Sequence, residues 1–471
     1  MKRVLLVNTN TEQAPYPVAP LGLCLLASSL EATFEVKLFD GVFEKIENLK
    51  TAVHQFRPDY IGFSIRNVDN MVKTNPKEYT DQLINTFIKP VQKIATVPVI
   101  LGGSGFSIFP NEWMKLTGAD YGIIGEGEQA LLNLLKCLES GKTTDGLPEI
   151  ITKDSFNNTI SASTPYDLGK LPFSEMYRKI DFEPYRRRGS YSIQTKRGCY
   201  HRCIYCTYPV IEGGQYRLRP PQAIVDEIEK ANEQLGDIIF EFIDSTFNDP
   251  PGHAEAICRE IIRRKLKIRL RTMGINPRHT SAELFDLMRK AGFAQIDCTP
   301  DSASPRMIAN LDKNFNLKEL ENTARLIQQS GMPTMWFFLF GGPGENAQTL
   351  DETFSFIEKW VCKYDMAHLS AGLRIYPQTR LCDIALAEKI IKSTDSLLKP
   401  VFYISGTIGE DELYFRINQF ASKNPNGVPA WESTPTPEML KEAMEMQSRM
   451  KFREPLFRTL LRLRYKMYPI N

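Results

Sequence analysis

The chain has 471 residues, too many for one ordinary core, so two or three domains are expected. Hydrophobic residues make up 42% and charged residues 24%, the balance of a soluble globular protein, and a net charge of +2 gives no whole-chain attraction to nucleic acid. The opening MKRVLLVNTN turns polar too early for a signal peptide, and no run of about 18 apolar residues exists to span a membrane, so a cytoplasmic protein is expected.

Residues 1–140 alternate short apolar runs (3–8, 35–39, 60–64, 97–101 and 121–125) with helical patterns such as 21–31 and 128–139. That alternation predicts a doubly wound α/β domain with a parallel sheet, whose ligands bind at the carboxyl ends of the strands. Those ends carry Asn8-Thr9-Asn10, Ser64-Ile65-Arg66-Asn67, Gly102-Gly103-Ser104-Gly105 and Gly125-Glu126-Gly127-Glu128. Residues 141–190 read as a linker rich in polar residues and Pro, with aromatics that suit packing over a domain surface. From 191 the alternation resumes, with strands expected at 191–195, 238–243, 267–273, 294–299, 333–340 and 368–375 and helices such as 221–235 and 281–292. Six such units over 191–400 make a partial (β/α)6 barrel, whose active site belongs at the C-terminal rim of its strands. Residues 401–471 read as a small, mainly helical region. Its last helix carries Arg458, Arg462, Arg464 and Lys466 with Leu456, Leu460, Leu463 and Met467 at helical spacing. This is read as a terminal helix docked on the barrel, with peripheral membrane contact the lesser alternative.

Nine cysteines, an odd number without a secretory signal, exclude a disulfide framework. Six are scattered singly and read as buried small hydrophobes. The other three, Cys199, Cys203 and Cys206, lie in TKRGCYHRCIYCTYP, in the loop after the first barrel strand. Three thiolates on one loop can ligate three irons of a [4Fe-4S] cluster and leave the fourth open. Zinc is the alternative, but it favours four N/S ligands in paired spacing and the chain has no second pair. His201, between two of the cysteines, is expected to face solvent.

With its Cys-x3-Cys-x2-Cys spacing and Tyr205 before the third cysteine, this segment resembles the radical S-adenosylmethionine (SAM) superfamily. The resemblance implies that Cys199, Cys203 and Cys206 hold the cluster, that SAM chelates its open iron, and that Tyr205 lies near the adenine. It nominates Arg217 and Arg219 for the SAM carboxylate, Asp244 and Ser245 for the amino group, Asp301 and Ser302 for the ribose, and the Gly341-Gly342 turn for the adenine. The first domain, with VNTNTEQAPYPVAPLGL, GFSIRNVDN, GGSGFS and IGEGE in order, resembles the cobalamin-binding domain fused ahead of many radical SAM enzymes. That implies cobalamin on Gly102, Gly103, Ser104, Gly125 and Glu126, with Arg66 and Asn67 near the lower cobalt face, because no Asp-x-His-x-x-Gly motif supplies a His. A role for Arg66 in pairing with Asp69 is the plainer alternative.

The cobalamin-dependent radical SAM family, of class B methylase type and nearest in motif to the tryptophan 2-C-methyltransferases and the relatives labelled "lipid biosynthesis", implies methylation of an unactivated carbon of a small molecule, peptide or lipid precursor. It also implies an external electron donor of flavodoxin or ferredoxin type. Cyclisation, rearrangement or polar methyl transfer would use the same cofactors, and a non-catalytic cofactor-binding protein is a further alternative.

Overall fold

In a computed structural model the structure describes residues 1–144, 146–154, 165–450 and 454–467. The N-terminal sheet is built from β1 (Arg3–Asn8), β2 (Glu35–Asp40), β3 (Tyr60–Ser64), β4 (Val99–Gly102), β5 (Tyr121–Ile123) and β6 (Ile150–Thr152), in the order β2-β1-β3-β4-β5-β6. The first five run parallel, as the apolar runs predict, because strands covered on both faces are apolar throughout. Helices Leu21–Leu30 and Gly127–Glu139 pack on one face and Pro110–Thr117 on the other. β6 is an addition. It lies inside the stretch read as linker and pairs antiparallel with β5, closing the sheet edge. The rest of that stretch contributes Met176, Phe182 and Tyr185, all buried in the large core. Most of its polar middle, 155–164, lies outside the described residues.

The second sheet holds β7 (Tyr191–Ile193), β8 (Ile239–Phe242), β9 (Arg269–Ile275), β10 (Phe293–Asp301), β11 (Thr334–Phe340), β12 (Met366–Ala371) and β13 (Gly427–Pro429), all parallel and in sequence order. It curves as a partial barrel. Alternation along the strands sends Ile193, Phe240, Leu270, Ile296, Trp336 and Leu369 into the core beneath the helices. The opposite face carries Glu241, Arg271, Asp297, Phe337 and His368. β13 is a seventh strand that the sequence did not suggest, drawn from the region read as mainly helical.

The terminal helix Leu456–Met467 docks on the barrel. Phe457 and Leu461 are buried against Met366 and Val428, and Arg458 pairs with Asp365 at 2.5 Å. Arg462 and Arg464 pair with Glu454 and Glu432. Of the apolar stripe expected on this helix, Leu463 is buried and Leu456 and Leu460 are half-buried, so the docking is carried chiefly by Phe457 and Leu461. No helix among the described residues is long and apolar enough to cross a membrane. The scattered cysteines divide: Cys24, Cys258 and Cys298 are buried, Cys137 and Cys382 are half-buried, and Cys362 is exposed rather than packed.

Candidate functional site

The cysteine loop leaves β7 through a two-residue hairpin, Lys196–Arg197 against Arg217–Leu218. Gly198 turns it at φ +85°, where a Cβ would stand 2.0 Å from the Gln215 carbonyl oxygen, so only glycine fits. The loop is tied by Cys199 N–H to Gly213 O (3.0 Å), Ile204 N–H to Leu311 O (3.2 Å) and Leu381 N–H to Ile204 O (2.8 Å). Cys199 is buried and Cys203 and Cys206 are half-buried. Burial pushes the Cys203 thiol up and the Cys206 thiol to about 12, so free thiolates are disfavoured here and need positive charge beside them. Iron would supply that charge. A cubane takes one thiolate per iron, so three thiolates on one loop fit a cluster better than mononuclear zinc, which favours four ligands.

His201 is buried, not solvent-facing. Its Nε2 lies 2.9 Å from the buried Asp249 carboxylate and 3.2 Å from the Tyr216 hydroxyl, whose oxygen is 3.7 Å from Cys199 Sγ. Lys313, which the sequence did not single out, lies buried beside Cys203. Its Nζ donates to Asp301 at 2.6 Å and to the Tyr205 hydroxyl at 3.4 Å, and the Tyr205 hydroxyl also donates to Asp301. Burial works against the ammonium, but Asp301 and Cys203 outweigh it and hold its pKa above the ordinary lysine value.

Several nominated SAM contacts are committed elsewhere. Arg217 forms a two-pronged pair with Glu126 (2.6 and 2.9 Å) and also donates to the Tyr166 and Glu212 carbonyls. Arg219 is buried on Glu227 (2.8 Å) and the Gln194 carbonyl. Asp244 is fully buried and accepts from Thr195 N–H (2.7 Å), the Thr195 hydroxyl (2.6 Å) and Lys196, while Ser245 donates to Gly198 O. Ser302 is buried against the Thr353 hydroxyl at 3.0 Å. These five residues brace the cysteine loop and the rim in place of presenting free groups. Gly341 (φ +93°) donates its N–H to Glu345 at 2.8 Å, and Gly342 packs under Met307 and Leu311.

The N-terminal strand ends meet the barrel mouth. Tyr16, in the loop after β1, donates to Glu241 on β8 at 2.9 Å, and the Arg271 guanidinium lies 4.0 Å from the centre of its ring. Arg271 pairs with the same Glu241 oxygen at 2.7 Å. Arg66 projects from the end of β3 toward this group. It is open to solvent and has no side-chain partner among the described residues. Desolvation nonetheless pulls its pKa below the ordinary value, with Tyr208, Tyr16, Glu241 and Tyr185 the nearest groups acting on it. Arg66 thus stands, exposed, where the end of β3 faces the barrel mouth. Asp69 does not hold Arg66; it pairs with buried Arg374 at 2.8 Å. Asn67 Nδ2 reaches Asn10 at 3.5 Å and Ser104 donates to the Arg66 carbonyl at 3.2 Å.

The Gly-Gly-Ser-Gly loop serves its own chain first. A Cβ at Gly103 (φ +102°) would meet Ile65 O at 2.6 Å, and one at Gly105 would meet Arg66 O at 2.9 Å. The glycines let the β4 loop lie directly on the β3 loop that carries Arg66. Only at Gly102 is the nearest atom as far as 3.8 Å. Gly125 (φ +76°) shapes the turn at the end of β5, and Glu126 in that turn faces Arg217 and Arg197, not the cleft. Deeper in the barrel, burial pushes the Asp297 carboxyl up to about 7 and pulls the His368 imidazole down to about 4. His368 is therefore neutral, while Asp297 can change charge near neutral pH.

Comparison with known proteins follows the same two parts. Residues 193–357 match the family model of the radical SAM superfamily, and residues 7–135 match that of the B12 binding domain. The tryptophan 2-C-methyltransferase of Streptomyces laurentii is 27% identical, over 82% of this chain and 74% of its own length. An uncharacterized methyltransferase of Pyrococcus horikoshii is 23% identical, over 83% and 84%. Among solved structures, the radical S-adenosylmethionine methyltransferase TsrM of Kitasatospora setae, with tryptophan substrate and a SAM analog bound, shares the fold with a TM-score of 0.80 at 23% identity, covering 99% of each chain. The cobalamin-dependent S-adenosylmethionine radical enzyme OxsB matches 99% of this chain and 71% of its own at TM-score 0.76 and 16% identity.

Proposed function

This chain belongs to the cobalamin-dependent radical SAM enzymes, and we propose that it transfers a methyl group from SAM to a carbon of a small-molecule, peptide or lipid-precursor substrate. The observation that carries this reading is Tyr16, from the loop after β1, held on Glu241 and Arg271 of the barrel sheet, with exposed Arg66 at the end of β3. The carboxyl ends of the N-terminal strands thereby face the barrel mouth, the arrangement a methyl carrier and a radical site need to act on one carbon within contact distance.

When bound, the cluster supplies the electron that cleaves SAM, and cobalamin carries the methyl group. Cys199, Cys203 and Cys206 hold the cluster. Lys313 replaces Arg217 and Arg219 as the cation for the SAM carboxylate, because it is the buried ammonium beside Cys203, and Tyr205 and Asp301 orient it. Arg66, Asn67 and the open edge at Gly102 take the cobalamin. Arg66, whose guanidinium is a poor metal ligand, would contact the cobalamin without coordinating its metal.

The test uses anaerobically reconstituted protein with SAM labelled on its methyl group, cobalamin, a reductant and a substrate panel. Methyl transfer moves the label into product, whereas cyclisation or rearrangement leaves the product unlabelled. Production of neither 5′-deoxyadenosine nor S-adenosylhomocysteine across the panel would overturn the proposal.

A further inference from the structure

We propose that Tyr216 is a positioning residue of the cluster site: its hydroxyl donates a hydrogen bond to Cys199 Sγ and thereby raises the reduction potential of the cluster that Cys199 ligates. The inference rests on the cluster assignment made above. Tyr216 immediately precedes Arg217–Leu218, the returning strand of the hairpin from which the cysteine loop hangs, so the hairpin itself carries the ring to the first cysteine. The hydroxyl oxygen has two neighbours within hydrogen-bond range, Cys199 Sγ at 3.7 Å and His201 Nε2 at 3.2 Å. A phenol has one proton to donate, so only one of them receives it.

Asp249 decides between them. Its buried carboxylate stands 2.9 Å from the same Nε2, the shortest contact that this nitrogen makes; Asn314 Nδ2 is farther, at 3.4 Å. A carboxylate only accepts, so Nε2 carries a hydrogen whether the ring is neutral or charged. A ring nitrogen that keeps its hydrogen has no lone pair with which to accept from Tyr216. The phenol proton therefore goes to the sulfur. Two features strengthen that bond. Cys199 is buried, where water screens a charge-assisted hydrogen bond little. The Lys196 ammonium, fully buried, lies 5.9 Å from the centre of the Tyr216 ring and draws electron density from the phenol oxygen. Reduction by one electron adds negative charge that the cluster shares with its thiolates. A hydrogen bond to a thiolate stabilises the more negative state more, so the reduced form gains. Tyr216 keeps its proton throughout, and no bond is made or broken.

The experiment is an EPR-monitored potentiometric titration of the full-length, cluster-reconstituted protein, with dithionite as reductant and redox mediators. Tyr216→Phe removes one oxygen and keeps the ring, so it should still hold about four irons. Its midpoint should fall by about 59 mV, the equivalent of a tenfold change in the ratio of oxidised to reduced cluster. Tyr200→Phe is the control. Its ring stands 5.1 Å from that of Tyr216, but its hydroxyl reaches Asp249 and no cysteine, so its midpoint should stay at the wild-type value. Pulsed ENDOR of the reduced cluster after exchange into D2O should show one exchangeable proton fewer in Tyr216→Phe than in the wild type. An unchanged or raised midpoint in Tyr216→Phe, an equal fall in Tyr200→Phe, or a Tyr216→Phe protein that no longer holds iron would overturn the tuning role. A wild-type protein that takes up no iron would instead overturn the cluster assignment on which it rests.

Discussion

Removing the Arg374 guanidinium should loosen the junction between the two sheets, and the structure sets the size of the effect. Asp69 follows β3 in the N-terminal domain, and Arg374, 305 residues later, lies just past β12 in a two-residue strand paired with Phe402–Tyr403. Their side chains are 1% and 3% exposed. Arg374 Nε donates to Asp69 at 2.8 Å, and its other nitrogens donate to the Ile375 and Leu397 carbonyls. Arg374→Met strips one carboxylate oxygen and two carbonyls of their donor in a site closed to water. Breaking one partner of such a pair costs about 3–5 kcal/mol, because the remaining charge is buried alone. Spread over an unfolding entropy of about 1 kcal/mol per kelvin for a chain of this size, that is a fall in Tm of about 3–5 °C. Asp69→Asn should fall by a similar amount, leaving the guanidinium with only neutral acceptors. The double variant should lose clearly less than the sum of the two, with a coupling of about 2 kcal/mol, since neither change then strands a charge. Scanning calorimetry of the four proteins reads this directly. Additive single effects, or a drop of less than 1 °C in Arg374→Met, would refute the claim that this pair joins the domains.

Ala at Cys199, Cys203 and Cys206 together should abolish the broad iron–sulfur absorbance and iron uptake, while Cys258→Ala, in the core, should cost about 1 kcal/mol of stability and leave iron binding intact, as iron analysis and melting show. Glu345 is fully buried, and desolvation pushes its carboxyl up to about 7. The folded state therefore favours the protonated form, and stability falls as pH rises from the unfolded value near 4.3 through 7; Glu345→Gln should gain on the wild type by up to about 3 kcal/mol between pH 5 and pH 8, and a pH-independent difference in Tm would count against it. Arg66→Lys should alter the EPR spectrum of bound cob(II)alamin, and the wild-type spectrum should be base-off, without nitrogen superhyperfine splitting. Because Phe457 and Leu461 face the barrel, the protein should not co-sediment with anionic phosphatidylserine vesicles, and Phe457→Ala should lower Tm instead of changing vesicle binding.

The strands of both sheets were legible because each is covered on two faces and reads as a continuous or alternating apolar run. The two that escaped, Ile150–Thr152 and Gly427–Pro429, are three residues long and sit at sheet edges, too short to show a period. The cysteine loop was legible because its chemistry is written in local spacing. Its surroundings were not, because the choice of ion-pair partner is a tertiary matter. Arg217 stands 91 residues from Glu126, and nothing in either segment marks them as partners. Lys313 was missed for the converse reason: a lone lysine in LDKNFN has a surface composition, and only the turn after Leu311 folds it beneath Cys203. The glycines after β4 were read as room for a macrocycle, whereas at 103 and 105 the space they make is filled by Ile65 and Arg66 of the same domain.

The Gly125-Glu126-Gly127-Glu128 turn shows what the N-terminal domain contributes beyond a binding surface. Its two carboxylates do not face the cleft. Glu126 takes Arg217 and Glu128 takes Arg197 at 2.5 and 3.1 Å, and those two arginines are the paired residues of the hairpin from which the cysteine loop hangs. Tyr166 N–H also donates to Glu126. The end of β5 is thus ion-paired to the base of the cysteine loop, while Tyr16 after β1 is pinned to Glu241 of the barrel sheet and Asp69 after β3 to Arg374, just past the sixth barrel strand. Three anchors from three different strand ends thus hold the N-terminal sheet against the barrel.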